Sequence, residues 1–421
     1  MDPGYLCDMN CVFEFRGRID FERLKNAYLT ALANEPMWSH RFVQTFWRPY
    51  WSPIPRSQRP ELVQVVTTDG SSAALGPILQ QPLDAAVRIW LLRGPTDDTL
   101  CFRVDHRLAD MAAARLLIEA IAGHYAAGDS EPPVDAPLVR RTIKLLRSVV
   151  SLAQRRQNFR KAGEELRAMK QALVPLRIPP ATPEDPAIPP QILQFAAGAL
   201  DALRAKAMQD RGTPSLVISA ATYLALREVV GITPNAPVYL GMAVDLRRYL
   251  PAEHHPAHAC MLLGRVFVPV EEPGATTIPA VMEQLRVALA ARRGSQFGLI
   301  HSTIALDLPL VRFVSDWLPF AWLRRANQRR KQRGDLALDV AVSDLGELGR
   351  PGDRWGDAVL QNGYGIPGYF SALFVPSSTC GSRINIALST GGSRSFAVKL
   401  AEVLQRLLCE YIDWPAPAGP G

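Results

Sequence analysis

A run of prolines near the middle of the chain sets the strongest limit on how it can fold. Seven prolines occur in the segment 175–190, at positions 175, 179, 180, 183, 186, 189 and 190. Proline has no backbone N–H and a fixed φ, so this density blocks a helix and favours an extended linker. Because 421 residues exceed what one hydrophobic core usually organises, we expect an N-terminal subdomain over 1–174, a Pro-rich linker over 175–190 and a C-terminal subdomain over 191–421.

Strand-like and helical segments alternate on both sides of this linker, which is the pattern of an α/β fold. Composition predicts strands at 11–15, 41–46, 62–66, 87–92 and 100–104 in the first half, and at 192–195, 238–244, 261–270, 338–342, 371–375 and 384–388 in the second. Apolar periodicity and capping residues predict helices between Asp20 and Pro36 and at 110–125, 140–172, 200–209, 214–230 and 395–412.

The composition is that of a globular protein, with 48% apolar and 21% charged residues. The net charge of +7 favours anionic ligands. There is no zinc-finger, homeodomain or RNA-recognition signature, so we expect no nucleic-acid partner. The six cysteines are scattered and predict reduced, mostly buried thiols. We see no secretory signal and no apolar run of membrane-spanning length, and therefore expect a cytoplasmic protein.

One segment, Val104-Asp105-His106-Arg107-Leu108-Ala109-Asp110, lies between a predicted strand and a predicted helix. A histidine at such a junction can act as a base, because imidazole is the side chain whose unperturbed pKa lies near neutral pH. Asp110, four residues later, can cap the following helix and fix the turn that presents His106. The alternative interpretation is a structural histidine next to a plain helix cap.

The segment resembles the active-site motif H-H-x-x-x-D-G of the chloramphenicol acetyltransferase and nonribosomal-peptide condensation-domain superfamily. Four further segments are similar to landmarks of that superfamily and occur in the same order. They are residues 17–42, similar to the opening helix and the turn after it, 244–248, similar to the strand end V-N-L-R, 342–346, similar to the strand V-S-N-L-G, and 386–392, similar to the last strand and its turn. The resemblance thus covers nearly the whole chain.

Several positions depart from the family pattern. Asp105 replaces the first histidine, Met111 replaces the glycine, and Ser39 stands where the arginine that pairs with the motif aspartate is usual. Either Arg41 takes over that pairing as structural support, or the pairing is absent. The plant-type D-F-G-W-G loop is missing too. These departures motivate one alternative, a non-catalytic binding protein on the same fold.

The resemblance implies two similar α/β subdomains, each a mixed sheet flanked by helices, with the active site in a tunnel between them. It implies an acyltransferase in which His106 is the general base and Asp110 is architectural. Ser343 and Arg247 would lie at the substrate or at the oxyanion. The donor would be acyl-CoA or an acyl-phosphopantetheine on a carrier protein, used as a co-substrate, with no permanently bound cofactor. The acceptor would be a hydroxyl, or an amine, of a small metabolite, and amide-forming condensation is the alternative.

Two other stretches invite interpretation. The histidines at 254, 255 and 258 lie in a Pro-bounded loop, and we predict no metal there because no carboxylate or fixed element supports them. Residues 313–333 combine aromatic residues with arginines. We favour a core helix with a basic tail over weak contact with a membrane surface. We expect a monomer.

Overall fold

The structure is a computed structural model. It describes residues 8–69, 74–128, 134–138, 143–172, 178–231, 237–251, 260–270, 275–294, 296–322, 325–326, 329, 340–368 and 373–415. The three histidines of the predicted loop and the basic residues 330–333 lie outside the described residues.

Strands account for most of the framework in both halves of the chain. They are β1 Asp8–Arg16, β2 His40–Val43, β3 Tyr50–Pro53, β4 Val63–Thr67, β5 Val87–Arg93, β6 Asp98–Asp105, β7 Gln191–Phe195, β8 Val238–Asp245, β9 Leu263–Val270, β10 Val340–Glu347, β11 Arg354–Trp355, β12 Ala358–Pro367, β13 Leu373–Cys380 and β14 Arg383–Leu388.

Helices cover the faces of these strands. They are α1 Phe21–Asn34, α2 Leu75–Gln80, α3 Met111–Ala127, α4 Leu152–Ala172, α5 Ala199–Gln209, α6 Pro214–Leu226, α7 Ile278–Arg292, α8 Pro309–Trp317 and α9 Arg394–Ile412. The helix that the sequence predicts from Asp20 is α1, and the side chain of Asp20 caps it by accepting the N–H of Arg23.

Two mixed six-stranded sheets organise the described residues. The first has the order β11-β12-β1-β6-β5-β4, and the second has the order β7-β14-β13-β10-β8-β9. Each sheet contains antiparallel and parallel pairs. Apolar side chains of α1 and α3 pack on the first sheet, and those of α5, α6, α7 and α9 pack on the second. The predicted fold class, mixed sheets flanked by helices, is confirmed.

The first sheet is not built from the first half of the chain alone. Strands β11 and β12 come from the range 191–421, and β12 pairs with β1 along nearly its whole length. The division predicted from the sequence therefore does not describe this sheet. The physical reason is that β1 needs a hydrogen-bonding partner on each edge, and β6 satisfies only one of them.

Strand β12 also links the two sheets. In the first sheet, Asn10 of β1 donates its side-chain N–H to the carbonyl of Ile366 on β12. Toward the second sheet, the buried amides of Asn362 and Asn385 bond each other, and the N–H of Gly365 reaches the hydroxyl of Ser378. Paired buried amides satisfy each other's polar groups, so their burial at this seam leaves these hydrogen-bonding groups with partners.

The basic segment predicted as one helix over 140–172 is divided in the structure. A 3-10 turn spans Ile143–Ser148 and α4 begins at Leu152. Leu146 and Val150, in and just after this turn, are buried in the core of the second sheet. This part of the range 1–174 therefore packs on the C-terminal half, because its apolar side chains are buried in the core of that half.

The prediction that the aromatic stretch beginning at residue 313 is a core helix is wrong. On α8, Phe313 is 61% exposed and Trp317 is 71% exposed. The short helix turns this apolar face to solvent instead of to either sheet.

Asp307 fastens the basic segment to the second half. Its buried carboxylate accepts two hydrogen bonds from Arg147, at 2.5 and 2.7 Å, and one from Arg155 at 3.1 Å.

Asp307→Ala should lower the free energy of unfolding by about 2 kcal/mol, because two arginines lose their charged partner while Arg147 stays partly solvated. Urea unfolding followed by circular dichroism measures the change.

The matched control is Glu164→Ala on α4, whose pairing with Arg160 is exposed on both sides. Exposed pairs contribute little, so this variant should unfold like the wild type. An equal loss in both variants would contradict an anchoring role for Asp307.

Candidate functional site

His106 lies in the turn between β6 and α3. Strand β6 ends at Asp105, and the N–H of Leu108 returns to the carbonyl of Asp105 at 3.0 Å. The imidazole is half-buried, and its Nδ1 lies 2.8 Å from the carbonyl oxygen of Ala109. A carbonyl oxygen can only accept, so Nδ1 must carry the proton. The neutral ring therefore has an unprotonated Nε2, which is able to accept a proton.

Asp105, which replaces the first histidine of the motif, stabilises the same turn. Its buried carboxylate accepts from the backbone N–H of Arg107 at 2.9 Å and from the Nε of Arg107 at 2.8 Å. The guanidinium of Arg107 in turn lies 4.0 Å from the centre of the Phe42 ring. Asp105 is thus occupied by a local ion pair, and its contribution is to the geometry of the turn.

Met111, which replaces the glycine of the motif, packs beneath the turn. Its sulfur lies 3.4 Å from the thiol of Cys11 on β1. The thioether fills space between α3 and the first sheet, where a polarizable, flexible side chain fits well.

Asp110 binds three groups from two halves of the chain. Its Oδ1 accepts from the N–H of Ala113 at 3.0 Å, which caps α3 as the sequence predicts. Its Oδ2 accepts from the N–H of Leu262 at 2.7 Å and from the guanidinium of Arg247 at 2.9 Å. Asp110 is 4% exposed and Arg247 is 7% exposed. This carboxylate therefore ties the turn that carries His106 to the second sheet.

The partner of Asp110 was not the residue proposed from the sequence. The expectation that Arg41 supports Asp110 is wrong: Arg41 is exposed on β2, and Arg247 makes the ion pair. Ser39 bonds locally, with its hydroxyl 2.8 Å from the carbonyl of Pro36. The assignment of Arg247 to substrate also changes, because this guanidinium holds Asp110, Asp245 and the carbonyl of Cys260. Arg247 is a positioning residue.

Ser343 lies on the face of the second sheet that points away from its helices. On β10 the core residues are Val340 and Val342, so Ser343 points to the opposite face, where it is half-buried. Val342 pairs with Met242 of β8, and the paired stretch of the two strands ends there, one residue before Ser343. Farther along β10, Gly346 approaches α3 so closely that a Cβ there would lie 3.2 Å from Arg115. Strand β10 thus reaches the helix that Asp110 caps.

A cationic cavity lies at the edge of the second sheet, beside β9 and the C-terminal end of α7. Ala243 pairs with Arg265 of β9, and β9 lies two strands from β10 in the sheet, about 10 Å away. Beside Arg265 lies a cavity of about 530 Å³. Its charged lining residues, within the described part of the chain, are Lys161, Arg265, Arg292, Arg293, Glu164 and Glu165. The positive charges outnumber the negative ones, so the cavity favours an anion.

Arg265 contributes to this charge. The surrounding protein desolvates its guanidinium and lowers its pKa, although the residue is exposed to solvent. Desolvation disfavours the charged form, and a bound anion would favour it.

Sequence reasoning missed the wall of this cavity. His301, for which the sequence offered no partner, lies 2.7 Å from the carboxylate of Glu165 on α4 and packs edge-on against Phe267. The hydrogen bond to His301 is the largest cause of the lowered pKa of Glu165. Within the predicted strand 261–270, Arg265 and Phe267 alternate with Val266, so the sequence did offer a signal that Arg265 and Phe267 share one face.

Within the described ranges, no cluster of three His, Cys, Asp or Glu side chains could hold a metal ion. The five cysteines there are free and buried, which agrees with the predicted reduced thiols.

Solved structures of several proteins align with this chain over nearly its whole length. Polyketide synthase associated protein 5 from Mycobacterium tuberculosis aligns with a TM-score of 0.66 at 16% identity, over 96% of this chain and 93% of that one. Trichothecene 15-O-acetyltransferase from Fusarium sporotrichioides aligns with a TM-score of 0.66 at 13% identity, over 96% of this chain and 91% of that one. The first condensation domain of the calcium-dependent antibiotic synthetase aligns with a TM-score of 0.66 at 14% identity, over 98% of this chain and 92% of that one.

The chain has the chloramphenicol acetyltransferase and condensation-domain fold. The resemblance predicted from the motif is confirmed at this level. Neither protein-family models nor curated proteins give a match, and identities of 13–16% establish shared architecture only.

Asp110→Asn tests the carboxylate that joins the halves. The substitution keeps the size of the side chain but leaves the buried Arg247 without a negative partner, so the free energy of unfolding should fall by about 3 kcal/mol. The melting temperature should fall with it.

Asp245→Asn is the control, since Asp245 contacts the same guanidinium at 3.2 Å from an exposed position. Its effect should be much smaller. Equal melting temperatures for the wild type and Asp110→Asn would refute the bridging role.

Proposed function

We propose that the protein is an acyltransferase that moves an acyl group from a thioester to a hydroxyl, or an amine, of a small metabolite. The observation that carries the proposal is the tautomer of His106, whose Nδ1–H is held by the carbonyl of Ala109 so that Nε2 is the base. The fold is shared with an O-acetyltransferase and with condensation domains, which both fit this class of transfer.

The proposed chemistry needs one base and no covalent enzyme intermediate. Nε2 of His106 takes the proton of the acceptor while its oxygen or nitrogen attacks the thioester carbonyl. The tetrahedral oxyanion then collapses, the carbon–sulfur bond breaks, and the imidazolium returns the proton to the leaving thiolate. The hydroxyl of Ser343 is our candidate donor to the oxyanion, on the basis of its place on the sheet face opposite the helices.

The other charged groups of the site contribute by holding the turn of His106 and the start of α3 in place. Asp110 and Arg247 hold the start of α3 against the second sheet, and Asp105 with Arg107 holds the turn. Such fixed surroundings let the base meet its substrate without reorganisation. A tunnel between the two sheets, through which both substrates enter, is part of the proposal.

The cationic cavity supports a phosphate-bearing donor. Acyl-CoA and acyl-phosphopantetheine both place phosphate at the far end of a long thiol arm. Arg265 is on β9, two strands from the strand that carries Ser343, so a thioester near Ser343 would extend its phosphate arm toward the cavity. We favour O-acylation with such a donor over amide formation.

His106→Ala should reduce turnover by about 10²–10⁴-fold, the usual contribution of a general base. Thiol release from acyl-CoA in the presence of a panel of alcohols and amines measures it. His124→Ala, a half-buried histidine near the other end of α3, should keep wild-type turnover. Equal turnover of His106→Ala and wild type would remove His106 from the mechanism and favour a binding protein on this fold.

Arg265→Gln and Arg293→Gln should each raise the KM for acyl-CoA by about tenfold, the loss expected for one charge-assisted hydrogen bond. The KM for the same acyl group on N-acetylcysteamine, which has no phosphate, should not change. Arg286→Gln, at an exposed pair on α7, is the control. A parallel change with both thioesters would argue against a phosphate subsite.

A further inference from the structure

Two segments far apart in sequence bring exposed aromatic residues to one place. Phe46 and Trp47, in the loop between β2 and β3, are 53% and 63% exposed. Their carbonyl oxygens accept the backbone N–H groups of Ala321 and Phe320, at 3.1 and 2.9 Å, so the loop lies against the segment that follows α8. We call the combined region the aromatic surface. Its exposed members are Phe46, Trp47, Tyr50, Leu310, Phe313, Trp317 and Trp322.

The pattern on α8 shows that this exposure is not scattered. Leu310, Phe313 and Trp317 are 73%, 61% and 71% exposed. Their spacing of three and four residues places them on one face of the helix. Single exposed apolar residues are ordinary on protein surfaces, but three on one helix face, close in the chain to a segment that binds an exposed aromatic loop, mark an interaction site.

Positive charge borders the aromatic surface. Arg48 follows Trp47 at the tip of the loop, and Arg325 and Arg329 follow Trp322; all three are exposed. Tryptophan and phenylalanine flanked by arginine form the composition that lies stably in the headgroup region of a bilayer. Arginines close to an anionic leaflet are attracted to its negative surface potential.

We propose that the aromatic surface docks the protein onto an anionic lipid bilayer. The chain would lie on the membrane and not cross it, since within the described residues no helix is long and apolar enough to span one. A second copy of the chain fits less well, because two such surfaces packed face to face would bring the arginines of both copies together. An anionic leaflet instead supplies the opposite charge.

Co-sedimentation tests the proposal with vesicles of phosphatidylcholine alone and with phosphatidylglycerol added. The wild type should sediment with the anionic vesicles and be released by high salt. Trp47→Ser combined with Trp317→Ser should weaken binding about tenfold or more, since both side chains lose apolar area that would enter the bilayer. Both residues are more than half exposed, so the double variant should keep the wild-type melting temperature. Met208→Ser, at an exposed apolar position on α5, should bind like the wild type.

Three outcomes would overturn the proposal. One is the absence of binding to either vesicle, and a second is unchanged binding of the double variant. The third is a concentration-dependent dimer, seen by light scattering, that the double variant abolishes, because the surface would then be an interface between copies. Equal binding to both kinds of vesicle would overturn the anionic preference.

Discussion

The carboxylate of Asp110 receives hydrogen bonds from α3, from the segment before β9 and from Arg247. A buried carboxylate away from water is costly unless its oxygens are satisfied, and here two backbone N–H groups and a guanidinium satisfy them. The two sheets therefore meet at a defined distance and angle, since any slippage would leave a charge unpaired. His106, four residues before Asp110, takes its position from this contact. The proposed base follows a strand of the first sheet, while the arginine that pairs with Asp110 follows a strand of the second.

Local chemistry in the sequence predicted the elements around the site well. Asp20 and Asp110 could be recognised as helix caps because a cap acts on a backbone N–H three residues away. The partner of Asp110 could not be recognised in the same way, because Arg247 lies 137 residues further along the chain. No local rule chooses between Arg41 and Arg247, since the choice depends on how the halves pack. In the family pattern, the arginine that pairs with the motif aspartate stands at the position that Ser39 occupies in this chain. The pattern therefore gave no candidate at that position.

Strand β12 shows a second limit of sequence reasoning. Its stretch of Asn362, Gly363 and Gly365 has the composition of a loop, yet it lies inside the first sheet. Gly363 is needed because a Cβ there would collide with the backbone of Leu348, and a Cβ on Gly365 would push the side chain of Leu345 aside. Close approach of a neighbouring chain segment, a feature of tertiary structure, explains these residues. The exposed face of α8 is similar: periodicity identifies an apolar face but not what covers it.

The insertion of β12 has a consequence for the order in which the protein can acquire its structure during synthesis. The hydrogen bond from Asn10 to Ile366 joins residues 356 positions apart. On the ribosome, β1 therefore emerges long before the strand that completes its edge, and the second sheet has most of its strands available first. Contacts of such long range form slowly, and an unpaired strand edge is open to wrong partners meanwhile. The N-terminal sheet, although made first, becomes whole only when nearly the entire chain has left the exit tunnel.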